Sequence, residues 1–235
     1  MKMFHSHQSR SEDRFDSAGF TLIELLAVVA IIALVTAFAV PATTSMLRGS
    51  QLTQGAQMVS DQLTLARQTA LSTSHSVEVR FYQFSDPNIP GEVLGVPAKG
   101  KYRALQSFEI LDSGAAVAVG KIQIVPQSVI IDSGIVSSGS ATLSSIISAA
   151  LPSPSVPTST TGVALGVAIP RAGTAYNAAT FRFMPDGSTN FSSATSQWFV
   201  TLHYLTAGNS MATPPPNFVT IQVDPANGHI RTFRP

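Results

Sequence analysis

The chain contains no cysteine. That removes disulfides, thiolate nucleophiles and cysteine-ligated metals from its chemistry, while leaving an oxidising compartment open to it. Charge is scarce as well. Only 11% of the residues are Asp, Glu, Lys or Arg and the formal net charge is +1, so nothing in the bulk electrostatics calls for nucleic acid. The surface must draw its polarity from Ser, Thr, Gln, Asn and exposed backbone, a composition suited to an exported or assembly-forming chain. A length of 235 residues fits one or two small domains.

Catalytic and phosphate-binding signatures are missing too. No HExxH, GxSxG or GxxxxGK[ST] stretch occurs, and neither does the acidic calcium loop. The histidines, His5, His7, His75, His203 and His229, are scattered along the chain, so core or surface placement is expected of them rather than a zinc site. Asp86, Asp186 and Asp224 each adjoin Pro or a Pro-Gly turn, where a carboxylate accepts backbone hydrogen bonds without catalysis. The expectation is therefore no catalytic residue, no cofactor and no metal. Arg231 and Arg234 alone are thin support for a nucleic-acid surface, which needs a basic stripe with interleaved aromatics.

What is present begins with a polar leader, residues 1–19, carrying Lys2, Arg10 and Arg14. From Phe20 to Val40 only Thr21, Glu24 and Thr36 are polar. At about 1.5 Å rise per residue such a helix crosses the roughly 30 Å hydrocarbon core of a bilayer. The basic leader places the N-terminus in the cytoplasm and the following domain outside it. A secretory signal would have a shorter apolar region and a small-residue cleavage site. A plain anchor fits the length but leaves Glu24 unexplained, since a carboxylate in a membrane helix costs about 2.5–3.5 kcal/mol on insertion scales.

The run Gly19-Phe20-Thr21-Leu22-Ile23-Glu24-Leu25-Leu26 resembles the cleavage and methylation motif of type IV prepilins and type II secretion pseudopilins. The resemblance implies that a prepilin peptidase cuts after Gly19, that Phe20 becomes the methylated N-terminus, and that Glu24 is the family's glutamate. Glu24 of one subunit would then pair with the Phe20 amine of its neighbour and set the register of assembly. Two charges that are costly alone in apolar surroundings give each other a reason to be there. The leader departs from the family pattern in reading Asp16-Ser17-Ala18-Gly19, without a basic residue directly before the glycine. Pro41 falls where such proteins often kink the long helix, and proline removes a helical donor.

Residues 41–75 continue the helix. Leu52, Ala56, Val59, Leu63, Ala66 and Ala70 recur at intervals of four and three, one apolar stripe along a helix face. Gln51, Gln54, Gln57, Asp61, Gln62, Arg67 and Gln68 make the remaining faces polar, and Gly49 and Gly55 are read as lowering rigidity. From residue 76 the period becomes extended. Val77, Val79 and Phe81 alternate with Glu78, Arg80 and Tyr82, and strands are expected at 102–110, 121–125, 129–131, 163–169, 197–205, 218–223 and 229–233. Pro126 marks an edge or a break. Pro185-Asp186-Gly187 and Asp224-Pro225-Ala226-Asn227-Gly228 read as hairpin turns. The fold class is thus α+β, a long N-terminal transmembrane and amphipathic helix packed on an antiparallel sheet, with the exported β-rich domain spanning 76–235.

The segment 133–162 is rich in Ser, Thr, Gly and Pro and reads as a long surface loop, with Ile146, Ile147 and Leu151 docking one short piece. Thr206 to Asn217, with Pro214-Pro215-Pro216, reads as a second loop. FRFMPDG and TIQVDPANGHIRTF resemble the C-terminal region of H-type minor pseudopilins and fimbrial-T-type pilins. The overall pattern is similar to the D group of the Verru_Chthon cassette, prepilin-like exported proteins of verrucomicrobial bacteria. These resemblances imply a non-enzymatic minor subunit of a type II secretion pseudopilus or type IV pilus. Its partners would be the prepilin peptidase and methyltransferase, other pilin or pseudopilin subunits, the inner membrane and the assembly platform. An adhesin or DNA-contacting minor pilin using the same export route is the alternative.

Overall fold

The computed structural model describes residues 20–133, 143–148, 168–170, 172–173, 175–193, 197–205 and 215–235, with backbone alone at 38–46 and at Ala98. The chain divides into two compact units, Met1–Ser45 and Met46–Pro235. Helix α1, Leu22–Thr73, contributes to both. Its backbone is helical through Pro41, so the proline does not end the helix. Among the described residues no helix is long and apolar enough to cross a membrane. The side chains described in the apolar run stop at Ala37, while in sequence the run continues to Val40.

In the second unit, α1 buries Leu52, Ala56, Val59, Leu63, Ala66 and Ala70, the stripe expected from the spacing. These residues share one core with Val77, Val79 and Phe81, with Phe181 and Phe183, and with Val200, Leu202, Ile221 and Val223. Gln62, read as polar surface, is buried instead, and its amide donates to Ser107 Oγ at 3.0 Å. Gly55 faces the sheet, where a Cβ would make ordinary contact with Pro126 and Val129 at 3.4 Å.

The sheet comprises β1 (Ser76–Phe84), β2 (Lys101–Ile110), β3 (Ala116–Ile124), β4 (Val129–Ile131), β5 (Asn177–Phe183), β6 (Trp198–Tyr204), β7 (Phe218–Val223) and β8 (Ile230–Phe233). Among the described residues it is eight-stranded with order β5-β1-β2-β4-β6-β7-β8, and β3 pairs β2 off this path. All its pairings are antiparallel. The fork lies on one side of β2, where β3 takes the Ala104–Ile110 end and β4 meets Tyr102. Pro126, which lacks a donor, occupies the break between β3 and β4. The strand expected at 163–169 lies largely outside the described residues, and Ile169 there forms an isolated bridge with Gly173.

Pro185-Asp186-Gly187 turns a short hairpin as expected, with Phe183 bridging Thr189 antiparallel and Asn190 N–H donating to Arg182 O at 3.0 Å, but the returning chain does not pair β6 with β5. Strand β5 lies beside β1, whereas β6 lies between β4 and β7. The aromatic residues close the gap through the core: Phe181 stacks on Phe191 at 4.7 Å and Phe191 on Trp198 at 4.4 Å. Twist accumulates strand by strand, and it brings the two ends of the sheet together. Thr189 N donates to Pro225 O at 3.0 Å, Arg67 Nε of the helix donates to Asn227 O at 2.9 Å, and Arg234 reaches Thr53 at 2.8 Å. The sheet is therefore curled around α1. Gly228, at φ 64°, sits where a Cβ would collide with Gly187 O and press on Phe183.

Gly100 is fixed by another close approach. Its Cβ would overlap the backbone of Phe84 and Ser85, where β1 and β2 come together at Phe84↔Lys101. Gly100→Ala is expected to destabilise the domain by about 2–3 kcal/mol, as overpacking against backbone does. Gly49→Ala, with no atom near its Cβ, should cost nothing. Thermal melts of the two variants beside the parent check the contrast.

Candidate functional site

The residues singled out for assembly lie at the start of α1. Gly19 falls outside the described residues. Thr21 and Glu24 form a reciprocal cap: the Thr21 backbone N–H and hydroxyl donate to Glu24 Oε2 at 2.9 and 2.8 Å, and Glu24 N–H donates to Thr21 Oγ1 at 3.3 Å. This is a capping box, in which a Thr before the helix and a Glu three residues later satisfy each other's orphan donors. The Thr-x-x-Glu spacing gives Glu24 a local role beside its charge. Thr36 is also accommodated, since its hydroxyl donates back to the carbonyls of Ile32 and Ala33 at 2.9 and 3.0 Å. Such back-bonding removes the cost of a hydroxyl in apolar surroundings.

Around these polar groups the helix exposes apolar side chains on every face, from Phe20 (83% exposed) and Leu22 through Leu34 and Val35. A helix that is apolar all round requires an apolar environment, either lipid or packed neighbouring helices.

Elsewhere the chemistry-bearing residues are committed to structure. His203 and Asp132 are fully buried, with His203 Nε2 2.9 Å from Asp132 Oδ2 and Nδ1 2.9 Å from the Tyr204 carbonyl. Both ring nitrogens are engaged. No nitrogen is left to act as a general base on a substrate, so the pair serves as a clip between β6 and the residue following β4. Glu78 bridges Arg80 at 2.7 Å and Arg182 at 2.9 Å, and the Arg80 guanidinium lies 4.2 Å over the Phe108 ring. Glu78 and Arg80 are buried, although alternation placed them on the polar side of the strand. Burial pushes the neighbouring Tyr82 hydroxyl well above the ordinary phenol range. Arg103 holds Glu92 through two 2.6 Å bonds.

Asp86, Asp186 and Asp224 accept backbone N–H groups from Asn88, Ser188 and Ala226 at 3.0, 2.9 and 2.9 Å, the turn role expected of them. Bonds from Ser188 hold the Asp186 carboxyl below its ordinary range. Among the described residues no group of three or more His, Asp or Glu side chains is placed to hold a metal ion. In the 133–162 segment, α2 (Ser145–Ser148) buries Ile146 and Ile147 against the core. Leu151 lies outside the described residues.

His75, at the junction between α1 and β1, is 2.8 Å from Glu109 and 3.8 Å from Asp112. The hydrogen bond to Glu109 raises the imidazole above its ordinary value, and the charge of Asp112 adds to it against partial desolvation. Glu109 is lowered in turn, first by its bond with His75. The histidine contribution is complete below its ordinary value and is lost as pH rises through the raised one. The Glu109 contribution is present above the ordinary carboxylate value and is lost as pH falls through the lowered one. The pair therefore stabilises most between about pH 4.5 and 6.5. His75→Gln should lower the melting temperature more at pH 6 than at pH 8.5, which melts of both proteins across that range measure.

The family model described as the prokaryotic N-terminal methylation motif matches residues 14–40. Comparison with curated proteins finds no match. Among solved structures the chain is similar to the type IV minor pilin FimU of Pseudomonas aeruginosa strain PAO1. The two are 10% identical, with 79% of this chain and 93% of that chain covered and a TM-score of 0.38.

Proposed function

We propose that the chain is a prepilin-like structural subunit, a minor pseudopilin assembled into a type II secretion pseudopilus or type IV pilus after leader cleavage. The observation that carries the reading is the methylation motif matched over residues 14–40, which includes Gly19, Phe20 and Glu24. The all-round apolar exposure of α1 from Leu22 to Val35 supports it, because that surface suits a bilayer before assembly and neighbouring helices after it. In this reading the prepilin peptidase cuts after Gly19 and methylates Phe20, and the inner membrane holds Phe20–Val40. The protein then meets an assembly platform and other pilin or pseudopilin subunits. The exported domain supplies contacts and no catalysis, consistent with the enclosure of His203, Asp132, Glu78 and Arg80. Pro41 serves as the bend that lets the apolar segment reorient on leaving the bilayer.

The capping box sharpens the role of Glu24. In the bilayer the carboxylate serves its own helix start through Thr21; in the filament it exchanges part of that role for the methylated amine of a neighbouring Phe20. Charge and cap are separable. A glutamine retains capping-box geometry without the charge, whereas Thr21→Ala removes the cap partner and keeps the charge.

Intact mass spectrometry of the membrane-extracted protein, with N-terminal fragmentation, is expected to find a chain beginning at N-methylated Phe20. Gly19→Val should retain the leader. An uncut parent chain would remove the processing assignment.

Glu24→Gln should insert into membranes normally but lose at least about tenfold in incorporation into sheared filaments, given the kcal/mol-scale cost of an unpaired amine in an apolar core. Thr21→Ala, which loses about 1 kcal/mol of helix capping, should incorporate nearly as the parent does. Equal incorporation of parent and Glu24→Gln would show that the charge sets no register.

A further inference from the structure

The connection between β1 and β2 ends in an apolar tip. Val93, Leu94 and Val96 are 48%, 59% and 37% exposed, side by side in a tight turn closed by Val96 N–H donating to Val93 O at 3.2 Å. Gly95 makes that turn possible at φ 79°. The tip is held from beneath: the buried Glu92 carboxylate takes both Arg103 bonds and the Asp86 N–H at 2.8 Å, and Ser85 Oγ donates to Val96 O at 2.6 Å. Three large apolar side chains held outward on so firmly anchored a loop are costly unless something receives them.

Charge and position identify the receiver. Lys99 is exposed and Lys101 half-buried, immediately after the tip. The carboxylates around it are withdrawn, Glu92 by Arg103, Asp132 by His203, and Asp86 by burial. The outward chemistry is therefore apolar with a cationic flank, complementary to the acyl boundary and anionic headgroups of a bilayer. The loop also lies at the end of the domain where α1 enters. Strand β1 runs back from the C-terminal end of α1, Gln62 meets Ser107 midway along β2, and Gly55 faces Val129 near the loop end of β2. The chain from Val40 to Leu52 spans at most about 40 Å, which bounds how far the domain can stand from a membrane that holds the apolar segment.

We propose that the Val93–Val96 tip inserts into the anionic membrane surface while the subunit is anchored, with Lys99 and Lys101 at the headgroups. The inference rests on the membrane-anchored reading above, and adds to it a second, reversible contact made by the folded domain.

The absence of native cysteine makes the test direct. Full-length chain carrying Leu94→Cys, Asp112→Cys or Ala27→Cys is labelled with an environment-sensitive fluorophore and reconstituted into phosphatidylcholine vesicles containing about one-fifth phosphatidylglycerol. Spin-labelled lipids then quench whatever reaches the acyl region. Asp112, whose side chain is 98% exposed, reports the far end of the domain. The label at residue 94 should be quenched at least about threefold more than that at 112, with the difference falling in pure phosphatidylcholine or high salt and in a Lys99→Glu background. Equal quenching at 94 and 112, with strong quenching at 27, would overturn the insertion and leave the anchor standing. Absent quenching at 27 would overturn the anchor itself and the insertion with it. A spectral shift at 94 that follows protein density without lipid quenching would assign the tip to a neighbouring subunit and overturn the lipid contact.

Discussion

The contact between the α1 stripe and the inner face of the sheet governs the arrangement of the domain. The helix contributes small side chains, Ala56, Ala66 and Ala70, between Leu52, Val59 and Leu63, and the strands contribute Phe81, Phe181 and Phe183. This division of sizes lets aromatic rings from different strands converge on one helix. The sheet must curl to bring them there, and the meeting of Thr189 with Pro225 and of Arg67 with Asn227 is its consequence. Buried Val and Leu side chains contribute about 1.5–3 kcal/mol each, so Leu52, Val59 and Leu63 hold the helix firmly to the sheet.

Charged residues, scarce to begin with, are spent partly inside. Glu78 and Arg182 face one another as register partners of β1 and β5 and form an ion pair. Buried pairs contribute little net stability, because desolvation offsets their attraction. Their value lies in discrimination. A slip of one residue would send Glu78 to the opposite face of the sheet without Arg182, and an unpaired buried carboxylate is far more costly than a lost contact. Asp132 and His203 act similarly for the seam between β4 and β6.

Much of this was legible in the sequence wherever the cause is local. The α1 stripe follows from spacing, β4 and β7 have the bounds their β-branched runs suggest, and the three turn aspartates do what their Pro and Gly neighbours imply. What escaped has a long-range cause. Alternation assigned Glu78 and Arg80 to a polar face, but a layer over that face turns it into a second interior, where Tyr82, Phe84 and Tyr176 cluster. The separation of β5 from β6 depends on partners far apart in the chain. Strand β3 begins at Ala116, earlier than its sequence suggests, because small residues and the bulge at Gly120 (φ 78°) carry no strand signature. At the start of α1 the same Thr-x-x-Glu residues carry both the charge of Glu24 and its cap with Thr21, a purely local signal.

The clip formed by Asp132 and His203 has a further effect on how the protein can vary. It fastens the chain at the threshold of the Ser- and Thr-rich segment, and Tyr176, packed edge-on against Tyr82 at 4.9 Å, fastens it again where β5 approaches. Between the two, α2 buries Ile146 and Ile147 in the main core, and Ser145 Oγ accepts the Phe199 N–H at 2.8 Å. A substitution at α2 therefore meets the interior of the domain, and the stretch is tied to the sheet at three places rather than at its two ends alone.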